Sequence, residues 1–189
     1  MSQTTLSHLA IDRLRGQRRV LVEVSLLTAG ATLLWASSWA RIQLPFTPVP
    51  FTLQTLVVVL LGMTLGMRRG AGAAVLYVAA CFAAPGVFLA SSGLSLTGGY
   101  LLGFVGAAAL TGFLFERGWG TRWSFALPAM AVAQLFVLMT GVLWLSRALG
   151  SWEDAWVFGA EPFFAVEVAK ILVSASLLRG TTALGRRLR

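Results

Sequence analysis

The sequence predicts an all-α integral membrane protein of six transmembrane helices with both termini on the cytoplasmic side. Three observations predict it: an apolar composition, six apolar runs near membrane length, and a one-sided distribution of arginine. Of 189 residues, 57% are hydrophobic and only 12% charged, where an ordinary soluble domain carries about 25% charged residues. That balance excludes a water-soluble globular domain. A single cysteine, Cys81, excludes an internal disulfide, and a single histidine, His8, leaves no cluster to hold zinc, so no metal site is expected.

A bilayer core of about 30 Å takes roughly 20 helical residues. The first apolar run covers residues 20–40. Arg13, Arg15, Arg18 and Arg19 ahead of it, with Ala36-Ser37-Ser38 inside it, imitate a secretory signal, but its length favours a retained span. The second run, 51–67, follows Pro45, Pro48 and Pro50, and the third, 71–84, is short and follows Arg68-Arg69-Gly70. The uncharged stretch 85–96 is too apolar for a solvated loop and reads either as a lid or as a re-entrant segment. The fourth run covers 98–115, and the fifth, 124–145, follows Gly118 and Gly120. The sixth, 162–178, follows Gly150, Glu153 and Asp154. These runs are too long and too little alternating for barrel strands, so they are expected to be helices. The resulting organisation is a basic N-terminal segment (1–19), a six-helix domain (20–180) and a basic tail (181–189), without an internal repeat.

Basic loops stay in the cytoplasm. With the N-terminus inside, twelve arginines (13, 15, 18, 19, 68, 69, 117, 122, 179, 186, 187 and 189) lie on the cytoplasmic side and only Arg41 and Arg147 outside. The net charge of +8 is thereby a consequence of topology in the cytoplasmic membrane, with anionic membrane lipid rather than nucleic acid as its neighbour. Trp119, Trp123, Trp152 and Trp156 fall near span ends, as interfacial anchors do. Small residues four apart mark helix-packing surfaces: Gly62, Gly66 and Gly70, then Gly99 and Gly103. Ser25 and Ala29 repeat that spacing in the cytoplasmic half of the first helix, where they suit a partner helix.

A charged side chain at the centre of a span costs at least about 2.5–3.5 kcal/mol. Two residues qualify, Glu167 and the only lysine, Lys170, three apart and therefore on one helix face. One reading is an internal pair that fixes packing; the other is a ligand site for a compact polar group such as a urea, or for an anion on Lys170. Gln54 and Tyr100 are expected at the same outer level. Taken singly, Gln54 reads as an interhelical hydrogen bond and Tyr100 as part of the aromatic belt; together with Gly98 and Gly99, which permit close approach, they point to one outer pocket. Lys170 follows no glycine-rich loop, so the chain has no P-loop and cannot hydrolyse ATP itself. No Gly-x-Ser-x-Gly, intramembrane histidine or acid–base set supports an enzyme, so no catalytic residue is assigned.

The run Pro45-Phe46-Thr47-Pro48-Val49-Pro50-Phe51-Thr52-Leu53-Gln54-Thr55-Leu56, then Thr97-Gly98-Gly99-Tyr100-Leu101-Leu102-Gly103-Phe104, then an acid-x-x-Lys on the last helix, resembles the BioY family of biotin transporters. That resemblance implies the substrate-binding component of an energy-coupling factor transporter. Biotin would be captured from outside by Glu167 and Lys170, with Gly98, Gly99 and Tyr100 lining the site, and no cofactor. It implies assembly with a transmembrane coupling protein through Ser25 and Ala29, and with ATPase subunits, which some members do without. This chain departs from the family where the acid is usually Asp after Pro-Gly; here Glu167 follows Ala165-Val166. It also lacks the arginine some relatives carry near Ser91-Ser92-Gly93, which leaves the biotin carboxylate without a named partner. Three other readings stay open on the residues: a component for another vitamin, a proton-coupled secondary transporter relaying through Glu167, and an assembly subunit with no ligand.

Overall fold

A computed structural model describes the backbone of residues 16–88, 93–121 and 123–187, and their side chains except at 93, 94, 121, 123 and 177–187. In chain order it contains helix α1 (Gln17–Trp39), strands β1 (Arg41–Ile42) and β2 (Phe51–Thr52), and helices α2 (Gln54–Ala83), α3 (Pro85–Phe88) and α4 (Gly93–Glu116). Helices α5 (Trp123–Leu149), α6 (Trp152–Gly159) and α7 (Phe164–Arg187) follow, with single 3-10 turns at Trp119–Thr121 and Glu161–Phe163. By length and composition, Gln17–Trp39, Gln54–Ala83, Ser95–Glu116 and Ser124–Leu149 suit a bilayer crossing.

Drawn straight, the 30 residues of α2 would run about 45 Å. They fold back instead. Gly66 sits at φ 82, ψ 179, a region that is essentially glycine's alone, and it turns residues 54–65 against residues 67–83. Two contacts prove the reversal. Gln54 Nε2 donates to Tyr77 Oη at 2.7 Å, and a Cβ on Gly70 would lie 3.1 Å from Gly62 Cα, although 23 residues of straight helix would separate the first pair by about 35 Å. The expected second and third spans are therefore the two arms of one hairpin. The break is placed differently from the expectation: Arg68, Arg69 and Gly70 are helical, and Gly66 alone turns the chain. The second arm begins with the Met67 N–H donating to Glu116 Oε1 at 2.8 Å, a carboxylate at the positive end of a helix.

The first arm starts at Gln54 and not at 51, because the proline run forms a small antiparallel hairpin, Arg41 opposite Thr52 and Ile42 opposite Phe51. Thr47 fastens its tip: its hydroxyl donates to the Phe158 carbonyl at 2.6 Å. Helix α6 was not expected. Its signal was nonetheless local, since Ser151 Oγ accepts from the Asp154 N–H and Glu153 and Asp154 occupy the first turn. Of the stretch 85–96, read as a lid or a re-entrant segment, residues 89–92 lie outside the described residues; Pro85–Phe88 is helical, and Trp35 Nε1 donates to the Val87 carbonyl at 3.2 Å.

Helices α2, α4 and α5 form the interior, and α1 lies against α2 with Val20, Leu21, Val24 and Leu33 exposed. Glu23 on α1 meets Arg69 in a two-pronged ion pair, Nε to Oε2 at 2.7 Å and a terminal nitrogen to Oε1 at 2.6 Å. Arg69 is buried, so it is a packing residue as well as one of the charges on which the expected orientation rests. Exchanging Gly66 for Ala should lower stability by about 1–3 kcal/mol in detergent thermal unfolding. Gly86→Ala, where a Cβ meets nothing within 4 Å, should leave the melt unchanged; equal melts for both variants would remove Gly66 from this role.

Candidate ligand-binding site

A pocket opens where α2, α4, α5 and α7 meet, with about 680 Å³ of atom-free space that includes open solvent at its mouth. Its walls are mostly apolar: Val49 and Pro50 from the hairpin, Leu101 and Phe104 from α4, Val137 and Leu138 from α5, and Phe163 ahead of α7. Phe163 stacks on Phe51 with centroids 4.3 Å apart and approaches Tyr100 at 6.3 Å.

Against these walls stands a closed polar cluster. Lys170 Nζ donates to Glu167 Oε1 at 2.7 Å and to Thr55 Oγ1 at 2.8 Å. The Thr55 hydroxyl in turn donates to the carboxylate, 3.1 and 3.2 Å from its two oxygens. Glu167 and Lys170 are only 5% and 7% exposed. Their placement is explicable from the chain: Glu167 falls in the first turn of α7, where the helix dipole favours an anion, and Lys170 lies three residues on, on the same face. A buried pair of this kind adds little to folding, because desolvation offsets most of its attraction. The ammonium has three protons and the cluster uses two, and Oε2 accepts only from Thr55, so a donor and one Oε2 lone pair remain for a molecule in the pocket.

The pocket lining brings together Gln54, Tyr100, Glu167 and Lys170. Tyr100 reaches across the bundle, donating to the Gly159 carbonyl at 2.8 Å, with its ring seated where a Cβ on Gly141 would otherwise stand. Gln54 is committed to packing through its amide nitrogen, which donates to Tyr77 and, at 3.4 Å, to the Leu34 carbonyl of α1.

Gly98 and Gly99, expected to line the site, instead face α5. A Cβ on Gly98 would lie 2.9 Å from the Trp144 indole, and one on Gly99 would strike the Trp144 Cβ and the Thr140 carbonyl. Successive helical residues point about 100° apart, so these two cannot share the face of Tyr100. They let α4 close onto α5, and Trp144 Nε1 completes that contact by donating to the Ser95 carbonyl at 3.0 Å. Ser25 and Ala29 are exposed on α1, away from the pocket. Most of the remaining lining escaped the sequence reading, and two polar residues in it bear on the chemistry. Thr55 carries no signal, since threonine is unremarkable in a span, whereas Gln134 is a polar residue within an apolar run and was legible on that ground. Among the described residues no three His, Cys, Asp or Glu side chains converge as a metal site would require.

A sequence model of the BioY family matches residues 8–187. The chain belongs to the BioY family. It is 33% identical over 152 residues to the biotin transporter BioY of Rhizobium etli, covering 73% of this chain and 80% of that one. It is 31% identical over 162 residues to the biotin transporter BioY of Thermotoga maritima, covering 83% and 92%. Its fold matches the crystal structure of the S-component for biotin from an ECF-type ABC transporter with a TM-score of 0.76 at 18% identity, over 90% of this chain and 95% of that one. BioY membership and several helices apolar enough to cross a bilayer make the chain a multi-pass membrane protein and a transport protein, not an enzyme.

If the buried pair serves a ligand and not folding, removing both charges should be tolerated. The double variant Glu167→Leu/Lys170→Met should unfold within about 1–2 kcal/mol of the wild type, while Lys170→Met alone, which strands a buried carboxylate, should lose about 3 kcal/mol. An equal loss in the double variant would make the pair a stabilising element.

Proposed function

We propose that this chain takes up biotin as the substrate-binding component of an energy-coupling factor transporter in the cytoplasmic membrane, capturing the vitamin in the pocket of Glu167, Lys170 and Tyr100. The observation that carries this reading is the Lys170–Glu167–Thr55 cluster set into an aromatic-walled, apolar pocket in a BioY chain. Biotin offers matching parts: a ureido ring with two N–H donors and one carbonyl, an apolar bicycle, and a chain ending in a carboxylate. The free ammonium proton answers the ureido carbonyl and Oε2 accepts a ring N–H, while Phe163, Leu101 and Phe104 cover the bicycle. Because the cluster is already hydrogen-bonded within itself, it is preorganised, and binding does not have to order it.

The membrane topology that goes with this reading has six crossings in residues 20–180: α1, the two arms of α2, α4, α5 and α7, with both termini cytoplasmic and the pocket facing outward. The exposed Ser25–Ala29 face of α1 receives the transmembrane coupling protein, and ATPase subunits supply the energy that this chain, lacking a P-loop, does not. The helical body then reorients on that partner to release biotin inside.

Calorimetry on purified protein in detergent should detect tight biotin binding, lost in the Glu167→Leu/Lys170→Met variant although it remains folded. A folded wild type that ignores biotin would discard this ligand and call for thiamine and riboflavin instead. Ser25→Trp with Ala29→Trp should stop partner-dependent uptake in cells and leave biotin affinity unchanged; uptake at the wild-type rate would remove α1 as the docking face.

A further inference from the structure

Gln134 projects from α5 into the same pocket, is 3% exposed, and has neither its amide nitrogen nor its amide oxygen hydrogen-bonded among the described residues. Its buried polar neighbours differ. Gln54 bonds Tyr77, Tyr100 bonds Gly159, and Thr55, Glu167 and Lys170 bond one another. A buried amide that makes no hydrogen bond forfeits its full hydration, and native proteins rarely keep one without a use. Among the described residues, the others that α5 contributes to the lining are Val137 and Leu138, so Gln134 is the one polar group described there on this helix.

We propose that Gln134 reads the ureido ring of biotin, its Oε1 accepting one ring N–H and its Nε2 donating to the ring carbonyl. This rests on the biotin reading of the pocket. The chemistry is that of two amides side by side: along either edge of a cyclic urea an N–H and the C=O point the same way, and a primary carboxamide offers the complementary acceptor and donor. A urea has two such edges. Glu167 and Lys170 on α7 serve one, with Oε2 for an N–H and the free ammonium proton for a carbonyl lone pair. Gln134 on α5 serves the other. Both ring N–H groups and both carbonyl lone pairs are then satisfied by groups from two helices, which is what a buried, strongly polar ring requires. Gln134 is thus a specificity-determining residue. A pocket built to hydrogen-bond a group rejects ligands that lack it far more strongly than apolar contacts can.

The test is Gln134→Met, close in size and shape but with no amide, measured against three ligands: biotin, desthiobiotin (urea kept, sulfur removed) and biotinamide (urea kept, carboxylate neutralised). Affinity for all three should fall by one common factor of about 10- to 100-fold, and the ligand-free variant should melt no lower than the wild type, since it loses an unpaired buried amide. A factor that shrinks for desthiobiotin would place the amide on the sulfur, and one that shrinks for biotinamide would place it on the carboxylate; either overturns the assignment to the urea. Unchanged affinity would mean that the amide is served by pocket water only, and a lower melt without ligand would make it a structural residue; both contradict the proposal. A wild type that fails to bind biotin refutes the biotin reading itself, whereas tight wild-type binding with an indifferent Gln134→Met refutes this inference alone.

Discussion

An ammonium and a carboxylate 2.7 Å apart, 7% and 5% exposed, are expensive to hold among apolar side chains. The rest of the structure is arranged around that constraint. Two features make the pair tolerable. Glu167 sits in the first turn of α7, within the positive field of the helix end, and Thr55 from α2 lies between the two charges, accepting from one and donating to the other. Neither feature makes the pair a strong contributor to folding. The pair lines a pocket, and on the proposed reading that is its use, because fixed donors and acceptors in water-poor surroundings bind a polar ligand more strongly than the same groups in water.

The reversal of α2 at Gly66 brings Tyr77 of the second arm onto Gln54 of the first, both in the pocket lining, and helices approach closely on the flanks of that pocket. Gly62 packs so near α4 that a Cβ would stand 2.6 Å from the Ala108 carbonyl, and Gly98 does the same against Trp144. These contacts lie beside the pocket. The side chains at the pocket itself, Tyr100, Phe104 and Phe163, are large. Small residues thus draw the helices together on either side of a space that large ones line, as expected where helix association depends on packing and not on expelling water. The Glu23–Arg69 bridge holds α1 against the second arm of α2.

Much of this was legible in the sequence because membrane insertion makes polarity conspicuous. Apolar runs marked the long helices to within about five residues, except that the last continues to Arg187 where the run was expected to end at 178, and the charged pair on that run lines a pocket together with Gln54 and Tyr100. What escaped did so for identifiable reasons. Gly66 looks like Gly62 and Gly70 in a spacing pattern, and only its backbone angles distinguish a turn from a packing step. Gly98 and Gly99 are adjacent to Tyr100 in the chain but not on its helix face. Glu23 stands within the first apolar run, and its partner Arg69 is 46 residues away, so no local pattern pairs them. Gln134 escaped although it carries the same kind of signal as Gln54, an uncharged amide within a span.

Recognition of a urea by Lys170 and Glu167 is tested most directly by a structure of the chain with biotin bound. The ring carbonyl is expected within hydrogen-bond distance of Lys170 Nζ, a ring N–H on Glu167, and the valerate chain pointing away toward the mouth. Biotin bound in the opposite sense, its carboxylate paired with Lys170 and its ring at the mouth, would contradict it.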